Sequence, residues 1–319
     1  MRILITGAGG FVGSHLMDAY PDAVGFDNFL TGNRDNNQRV IELDITQRHY
    51  LYALANDTHP EVVIHCSASY SDPDLWHRDT DINVNGAINA AAVAKHHKAH
   101  LLYFQTILPP VSSYAISKIA AEQYLRMADV PLTVFRMANI YGPRNRSGPI
   151  PVFYKRITSG QPCLVVDTTR DMVFIDDLVD CVRTCVDNRL EGTFDVCSGD
   201  QYPIMDLYQA VAGELDHQET PPLVPPDPDD VQGTISLENA LPSWKWGNRV
   251  PLAEGIARTV ASYQVSSIGD TYTHLRIGKG DVTLQEAKRL GYDSLDSYYH
   301  DLYDGEANWE RMGKNDGEV

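Results

Sequence analysis

Apolar positions in the first half of the chain fall into short runs, separated by amphipathic stretches long enough for helices. The runs cover residues 3–6 (Ile-Leu-Ile-Thr), 23–26, 40–43, 61–65 (Glu-Val-Val-Ile-His), 101–105 and 132–136. Such short, β-branched-rich runs read as buried strands. Between them the spacing predicts helices over 11–19 (closed by Pro21), 47–56, an alanine-rich 75–98, and 113–127. Strands alternating with helices imply βαβ units, and hence a parallel, doubly wound sheet of the α/β class.

The pattern loosens after Tyr141. Residues 142–149 (Gly-Pro-Arg-Asn-Arg-Ser-Gly-Pro) have loop chemistry, 173–186 return to strand then helix, and 192–196 read as a strand. Five prolines between 221 and 230 mark a stiff connector. A helix is expected over 252–263. From residue 266 the chain is polar and acidic, yet it carries Tyr292, Tyr298, Tyr299, Tyr303 and Trp309, with helical spacing at 283–290 and 295–302.

Composition narrows the function classes. The 319 residues are 43% hydrophobic, enough for a large core. Lysine and arginine total 26 against 43 acidic residues, a net charge of −17, which argues against electrostatic capture of nucleic acid or an anionic membrane. No apolar run approaches the roughly 18 residues of a spanning helix. The start (Met-Arg-Ile-Leu-Ile-Thr-Gly) lacks the pattern of a signal peptide, so a cytoplasmic location is the expectation. Five cysteines, Cys66, Cys163, Cys181, Cys185 and Cys197, form no CxxC pair. They fit a reducing compartment and small buried side chains rather than a disulfide framework or a metal site.

The chemistry begins at the end of the first strand. Gly7, Gly10 and Gly13 repeat every third residue where strand becomes helix. A diphosphate needs backbone close to its oxygens, and it gains from the free N–H groups of the helix start at Phe11, Val12 and Gly13. Asp27 closes the second strand twenty residues after Gly7, the separation expected of an acid that accepts from a ribose. Together these predict dinucleotide binding. A carboxylate at that place repels a 2′-phosphate, so the expected cofactor is NAD rather than NADP.

Tyr114 and Lys118 stand four apart on the predicted helix 113–127, and therefore share one of its faces. An ammonium there is expected to favour the tyrosinate and lower the Tyr114 pKa. Such a base removes a proton from a sugar hydroxyl while hydride passes to a nicotinamide.

With these motifs the chain resembles the extended short-chain dehydrogenase/reductase family, the NAD-dependent nucleotide-sugar epimerases and dehydratases, from Met1 to about Tyr263. Further matching segments are Asp27-Asn28 with Gly32, Asp44-Ile45, residues 63–68 (Val-Ile-His-Cys-Ser-Ala), 83–86 (Asn-Val-Asn-Gly), 136–143 (Arg-Met-Ala-Asn-Ile-Tyr-Gly-Pro) and 170–177 (Arg-Asp-Met-Val-Phe-Ile-Asp-Asp). The resemblance implies a Rossmann-type NAD-binding domain from residues 1–142 plus about 171–197. It also implies a smaller α/β substrate-binding part from about 143–170 plus 198–265, leaving 266–319 as an extension. It adds Asn28 to the cofactor site beside Asp27, and assigns the adenine to Asp44 and Ile45, and the run from pyrophosphate to nicotinamide to Ser67 and Ala68. Lys118 would also hold the nicotinamide ribose, and Thr106 would hydrogen-bond the reacting oxygen beside Tyr114. Asn139 and Arg170 would grip the diphosphate of a nucleotide-diphosphate sugar. Local readings compete with these: an Arg170 ion pair to Asp171 or Asp176, a loop-fixing Asn139, and a structural His65. The predicted helices 75–98 and 113–127 are those that pair two copies in the family, so a homodimer is expected.

Two departures shape the functional reading. Only seven residues separate Thr106 from Tyr114, where relatives carry a longer loop over the sugar. Ile107-Leu108 follow Thr106, where the 4,6-dehydratases place an acid pair, and the decarboxylases' glutamate is likewise missing. What remains is epimerisation, most simply at C4 through a transient 4-keto sugar. A 4,6-dehydratase, a decarboxylase, a keto-sugar reductase and a non-catalytic NAD-binding scaffold are the alternatives. The aromatic tail is read either as a cover over the shortened loop or as packing elsewhere.

Overall fold

The computed structural model describes residues 1–70, 76–226, 237–241 and 249–265. The end of the proline-rich connector and the tail from 266, with its expected helices and its reading as a cover, lie outside the described residues. In chain order the elements are β1 (Ile3–Thr6), α1 (Phe11–Ala19), β2 (Val24–Asp27), β3 (Ile41–Glu42), α2 (Arg48–Thr58) and β4 (Val62–His65). Next come α3 (Trp76–Asp79), a π-turn (Thr80–Asn85), α4 (Gly86–His97), β5 (His100–Thr106), α5 (Ser113–Met127), β6 (Leu132–Met137) and β7 (Asn139–Tyr141). They are followed by α6 (Pro149–Thr158), β8 (Val165–Val166), β9 (Thr169–Arg170), β10 (Met172–Phe174), α7 (Ile175–Asn188) and β11 (Gly192–Val196). The last are β12 (Tyr202–Pro203), α8 (Ile204–Glu214), β13 (Leu223–Val224) and α9 (Leu252–Val265).

Seven strands pair in the order β11-β6-β5-β4-β1-β2-β3, every neighbour parallel. These are the six strands read from the first half and the one read at 192–196. The period of two along each strand divides the core between the faces of the sheet. Leu4, Val63, Leu101, Tyr103 and Val134 face α4 and α5, with Ala87, Ala90, Ala91 and Ala94 beneath them. Ile3, Ile5, Val62, Ile64, Leu102, Phe104 and Phe135 face the opposite way, toward Leu16, Met17, Leu178 and Val182. The order reverses between β1 and its neighbours β4 and β2, which opens a crevice at their carboxyl ends, the usual ligand site of such a sheet.

Three local differences have physical causes. The third strand contracts to Ile41–Glu42 because it is an exposed edge with a partner on one side only. The single helix expected over 75–98 is interrupted by the π-turn, a widening that re-aims the side chains of Thr80–Asn85. Helices α6 and α8 had not been expected. Helix α6 starts on Gly148 with Pro149 at its first position, a start signal that the loop reading of 142–149 absorbed. Of the cysteines, Cys163, Cys181, Cys185 and Cys197 are buried, and all five are free thiols. Among the described residues no helix is long and apolar enough to cross a membrane.

Candidate active site

The crevice is floored by the turn from β1 to α1. Gly7 has φ +65°, and a Cβ there would lie 2.6 Å from the Ser67 amide nitrogen and 2.7 Å from the Cys66 carbonyl carbon. The turn therefore packs directly on the chain leaving β4, with backbone against backbone. A Cβ at Gly13 would fall 2.1 Å from the Gly7 carbonyl oxygen, so the first turn of α1 lies tightly on the strand end. No side chain caps α1 at Gly10, and its first turn, Phe11-Val12-Gly13, holds no acid. The start of α1 thus keeps its positive end for an anion.

Asp27 is buried at the end of β2. Its carboxylate accepts from the Gly9 N–H at 3.0 Å and the Phe29 N–H at 2.7 Å. Burial pushes its pKa up, and those amides, with that of Gly10, work against the shift. Each oxygen keeps acceptor capacity beyond its one amide. Gly9 is a residue the every-third-glycine reading passed over, although the Gly9-Gly10 pair marked it. Besides donating to Asp27, it accepts at its carbonyl from the Asn33 N–H and the Asn36 amide, tying the loop after β2 to the turn. Next along, Asn28 donates to Asp44 at 2.7 Å. Burial would raise Asp44, but bonds from the Thr46 hydroxyl and amide and from Asn28 outweigh it and hold its pKa low. Ile45 is buried, against Gly86 at the start of α4.

On the far side of the crevice, Thr6 connects β1 to β4. Its hydroxyl accepts from the Ser67 N–H at 3.1 Å and bonds His65 Nδ1 at 2.8 Å. His65 stacks on Tyr103, ring centroids 6.0 Å apart. Burial, aided by Lys118, pushes its pKa down to about 3. A neutral ring in core contacts agrees with the structural reading of His65. Ser67 and Ala68 follow on the loop that leaves β4.

Helix α5 begins with the Ser112 hydroxyl accepting from the Ala115 N–H at 3.2 Å, an N-cap that sets its first turn. Tyr114 lies in that turn, partly exposed, and Lys118 lies one turn later, buried. They share a face, as expected, but not in the expected electrostatic relation. Lys118 Nζ sits 4.2 Å from the centre of the Tyr103 ring, where the face of the aromatic attracts a cation. Burial pushes Lys118 down to about 7. The Tyr114 phenol is pushed up by burial first, and then by Tyr70 and Asp79. The expected lowering of Tyr114 by Lys118 is thus corrected: helical spacing brings the two stems together, and the ammonium turns to Tyr103. Tyr103 in turn donates its hydroxyl to the Lys118 carbonyl at 2.9 Å, a partnership that strand and helix periodicity do not reveal.

Thr106 ends β5, and its hydroxyl accepts from the Leu108 N–H at 3.1 Å, shaping the short connection to α5. Among the described residues no hydrogen bond joins it to Tyr114. Asn139 donates to the Asp171 carbonyl through its side chain at 3.0 Å and its backbone at 3.1 Å, fixing β7 to β10. Arg170 donates to the Thr168 hydroxyl at 3.1 Å and the Thr169 carbonyl at 2.9 Å. The carboxylates weighed as its partners have bonds of their own. Asp171 accepts from the Ser198 and Gly199 N–H groups, and Asp176 from Arg258.

Comparison with known proteins agrees with this geometry. A UDP-glucose 4-epimerase of Mycolicibacterium smegmatis is 29% identical over 316 residues, spanning 84% of this chain and all of that protein. A UDP-N-acetyl-alpha-D-glucosaminuronate decarboxylase of Bacillus cytotoxicus is 26% identical over 66% of this chain and 79% of its own length. The crystal structure of the Bordetella bronchiseptica enzyme WbmG in complex with NAD and UDP superposes with a TM-score of 0.77 at 33% identity, covering 86% of this chain and 98% of that one. Residues 3–197 match the NAD dependent epimerase/dehydratase family over more than half of the chain, and the glycine turn with Asp27 fits the family's cofactor, NAD. The chain belongs to that family, whose members include epimerases, dehydratases and decarboxylases.

Proposed function

We propose that the chain is a nucleotide-sugar 4-epimerase that takes UDP-linked hexoses. The observation that carries this reading is Tyr114 and Lys118 on one face of α5, with Lys118 in electrostatic reach of Cys66, on which Gly7 packs, and Ile107 and Leu108 in place of any carboxylate after Thr106. Similarity to a UDP-glucose 4-epimerase over its whole length and to an enzyme crystallised with NAD and UDP supports it.

Gly7, Gly10, Phe11, Val12 and Gly13 would hold the diphosphate of NAD. Asp27 and Asn28 would hold its ribose, Asp44 and Ile45 the adenine, and Ser67, Ala68 and Lys118 the nicotinamide half. Bound there, NAD supplies a hydride acceptor that can return the hydride it takes. Tyr114 accepts the proton of the sugar C4 hydroxyl as the C4 hydride leaves, and gives it back when hydride returns to the other face. Phenolate formation calls for a cation against the phenol, and Lys118, one turn on, is placed to supply it by leaving Tyr103. Thr106 orients the reacting oxygen, and Arg170 and Asn139 take the substrate diphosphate as fork and amide donors. Arg170 lies in the part formed by residues 143–170 and 198–265, which we assign to the substrate, and Asn139 lies on β7 at the end of the cofactor part. A second copy packs on α4 and α5, where Ile88, Ile116, Tyr124 and Met127 are exposed. Burying such a patch is the usual reason for one, and sedimentation should give twice the chain mass.

A dehydratase or decarboxylase needs an acid near the sugar's C5 and C6, and the segment after Thr106 offers none. Mass spectrometry and NMR of products from UDP-hexoses test the reading. An isomer of unchanged mass, inverted at C4, is expected. Loss of water or carbon dioxide, or an absence of turnover together with tight NAD binding, would overturn it.

A further inference from the structure

Tyr70, on the loop that leaves β4, belongs to none of the motifs that identify the family. It leaves 58% of its surface exposed, although its ring meets that of Tyr114 edge to face, with centroids 4.9 Å apart and planes at 82°. Loss of solvation around its phenol raises the pKa, and the Arg170 guanidinium on β9 works against that shift. Tyr70 thus has the acid/base phenol against its ring and the diphosphate-binding guanidinium within electrostatic reach of its hydroxyl.

The placement is enforced from behind. Ser69, the preceding residue, is buried. Its N–H donates to the side-chain oxygen of Asn83 at 2.7 Å, and its carbonyl accepts from the Asn83 amide at 3.0 Å. The same amide donates to the Ser117 hydroxyl at 2.9 Å, on α5 between Tyr114 and Lys118. Asn83 is buried within the π-turn, so the interruption of the helix is what aims its side chain at Ser69 and Ser117. The loop bearing Tyr70 and the helix bearing Tyr114 are in this way fastened to one amide, and the two rings keep their register.

Building on the epimerase reading, we infer that Tyr70 is the platform for the substrate's hexose ring, its open surface packing on the pyranose C–H groups beside Tyr114. A pyranose presents apolar C–H faces, and an exposed aromatic surface buries them without competing for hydroxyls. The platform also suits the chemistry. A 4-epimerase must present both faces of its keto sugar to one hydride donor, so the sugar has to turn over while the nucleotide stays bound. Side-chain hydrogen bonds fix one orientation because they are directional; a ring surface holds both. With only seven residues between Thr106 and Tyr114, the β5–α5 loop is too short to supply an equivalent wall, and Tyr70 stands in for it.

Calorimetric affinities of UDP and of UDP-glucose, UDP-N-acetylglucosamine and UDP-glucuronic acid, for the NAD-loaded protein and its Tyr70→Leu and Tyr70→Phe variants, test the inference. Leucine keeps the bulk and loses the π surface; phenylalanine keeps the ring. Tyr70→Leu should weaken the best-bound sugar nucleotide about tenfold and leave the affinity for UDP unchanged, and Tyr70→Phe should restore sugar binding to within about threefold. Equal loss for UDP and sugar nucleotide, no loss in Tyr70→Leu, or a phenylalanine variant as weak as the leucine one would each overturn the platform. A parent protein that binds no sugar nucleotide better than UDP overturns the platform and the epimerase reading together. The expected affinity pattern combined with a dehydrated or decarboxylated product overturns the epimerase reading alone.

Discussion

The two sides of the crevice are built from different materials. The cofactor side is backbone on backbone: Gly7 against Ser67, Gly13 against Gly7, and Asp27 held by the amides of Gly9 and Phe29. Strand ends fixed by a parallel sheet leave it little freedom. The side we propose for the sugar is made of side chains from separate segments, Tyr70, Tyr114, Lys118 and Arg170, whose relations are set by packing and charge. The first kind of site is specified by where glycines fall in a strand–turn–helix unit. The second depends on which of several neighbours a side chain prefers, as Lys118 does in choosing Tyr103.

That contrast can be probed from both sides. The largest effect is expected at the chemistry. Tyr114→Phe should lower turnover by about a thousandfold, within the range of general acid–base groups, while NAD content stays that of the parent. An unchanged rate would remove the acid/base role, and a parent without turnover that still holds NAD would favour a scaffold that only binds the cofactor.

Next is the backbone side. Gly7→Ala meets both a positive φ and a 2.6 Å approach to Ser67, so it should cost about 1–3 kcal/mol of stability and weaken NAD at least tenfold. Thermal melting and cofactor titration read both effects, and a variant that binds and melts like the parent would show that the turn is looser than the contact implies.

On the side-chain side, Arg170→Ala should raise the Kd for UDP and for UDP-sugars alike by about tenfold, the loss expected of one charge-assisted contact. Weakening confined to the sugar would move Arg170 off the diphosphate.

The smallest effect is in stability against pH. Lys118 titrates near 7 in the fold and near 10.4 in the unfolded chain. Between these values the unfolded chain binds the extra proton, so stability rises with pH across about 7 to 10. Below 7 the penalty of a buried ammonium is present in full. Lys118→Met should flatten that rise in denaturant titrations of the NAD-free protein; a persisting rise would mean that another group causes it.

The sequence was most legible where function is written in backbone. The seven sheet strands, the turn at Gly7 and the acid at Asp27 follow from short-range periodicity and glycine spacing, which act within one βαβ unit. Helix α5 and its Tyr114–Lys118 face were legible for the same reason. The state of that face was not, because the charge of Lys118 is decided by its burial and by Cys66, with the Tyr103 ring against its Nζ, all set by segments distant in sequence. The hydroxyl of Thr6 and the amide of Asn83 were hidden likewise, one inside a strand and the other inside a helix whose π-turn no periodicity announces. The pairing of one Asn139 amide N–H with the Asp171 carbonyl was hidden for the same reason, because it is created only when β7 meets β10.

The account's central claim, a reversible hydride removal at C4 with Tyr114 handling the proton, is tested most directly by a UDP-hexose deuterated at C4 and turned over in ordinary water. The predicted product is the C4 epimer with deuterium still on C4, formed without added cofactor beyond that already bound. An epimer whose label has washed into solvent, or a product that kept its configuration and lost water or carbon dioxide, would contradict it.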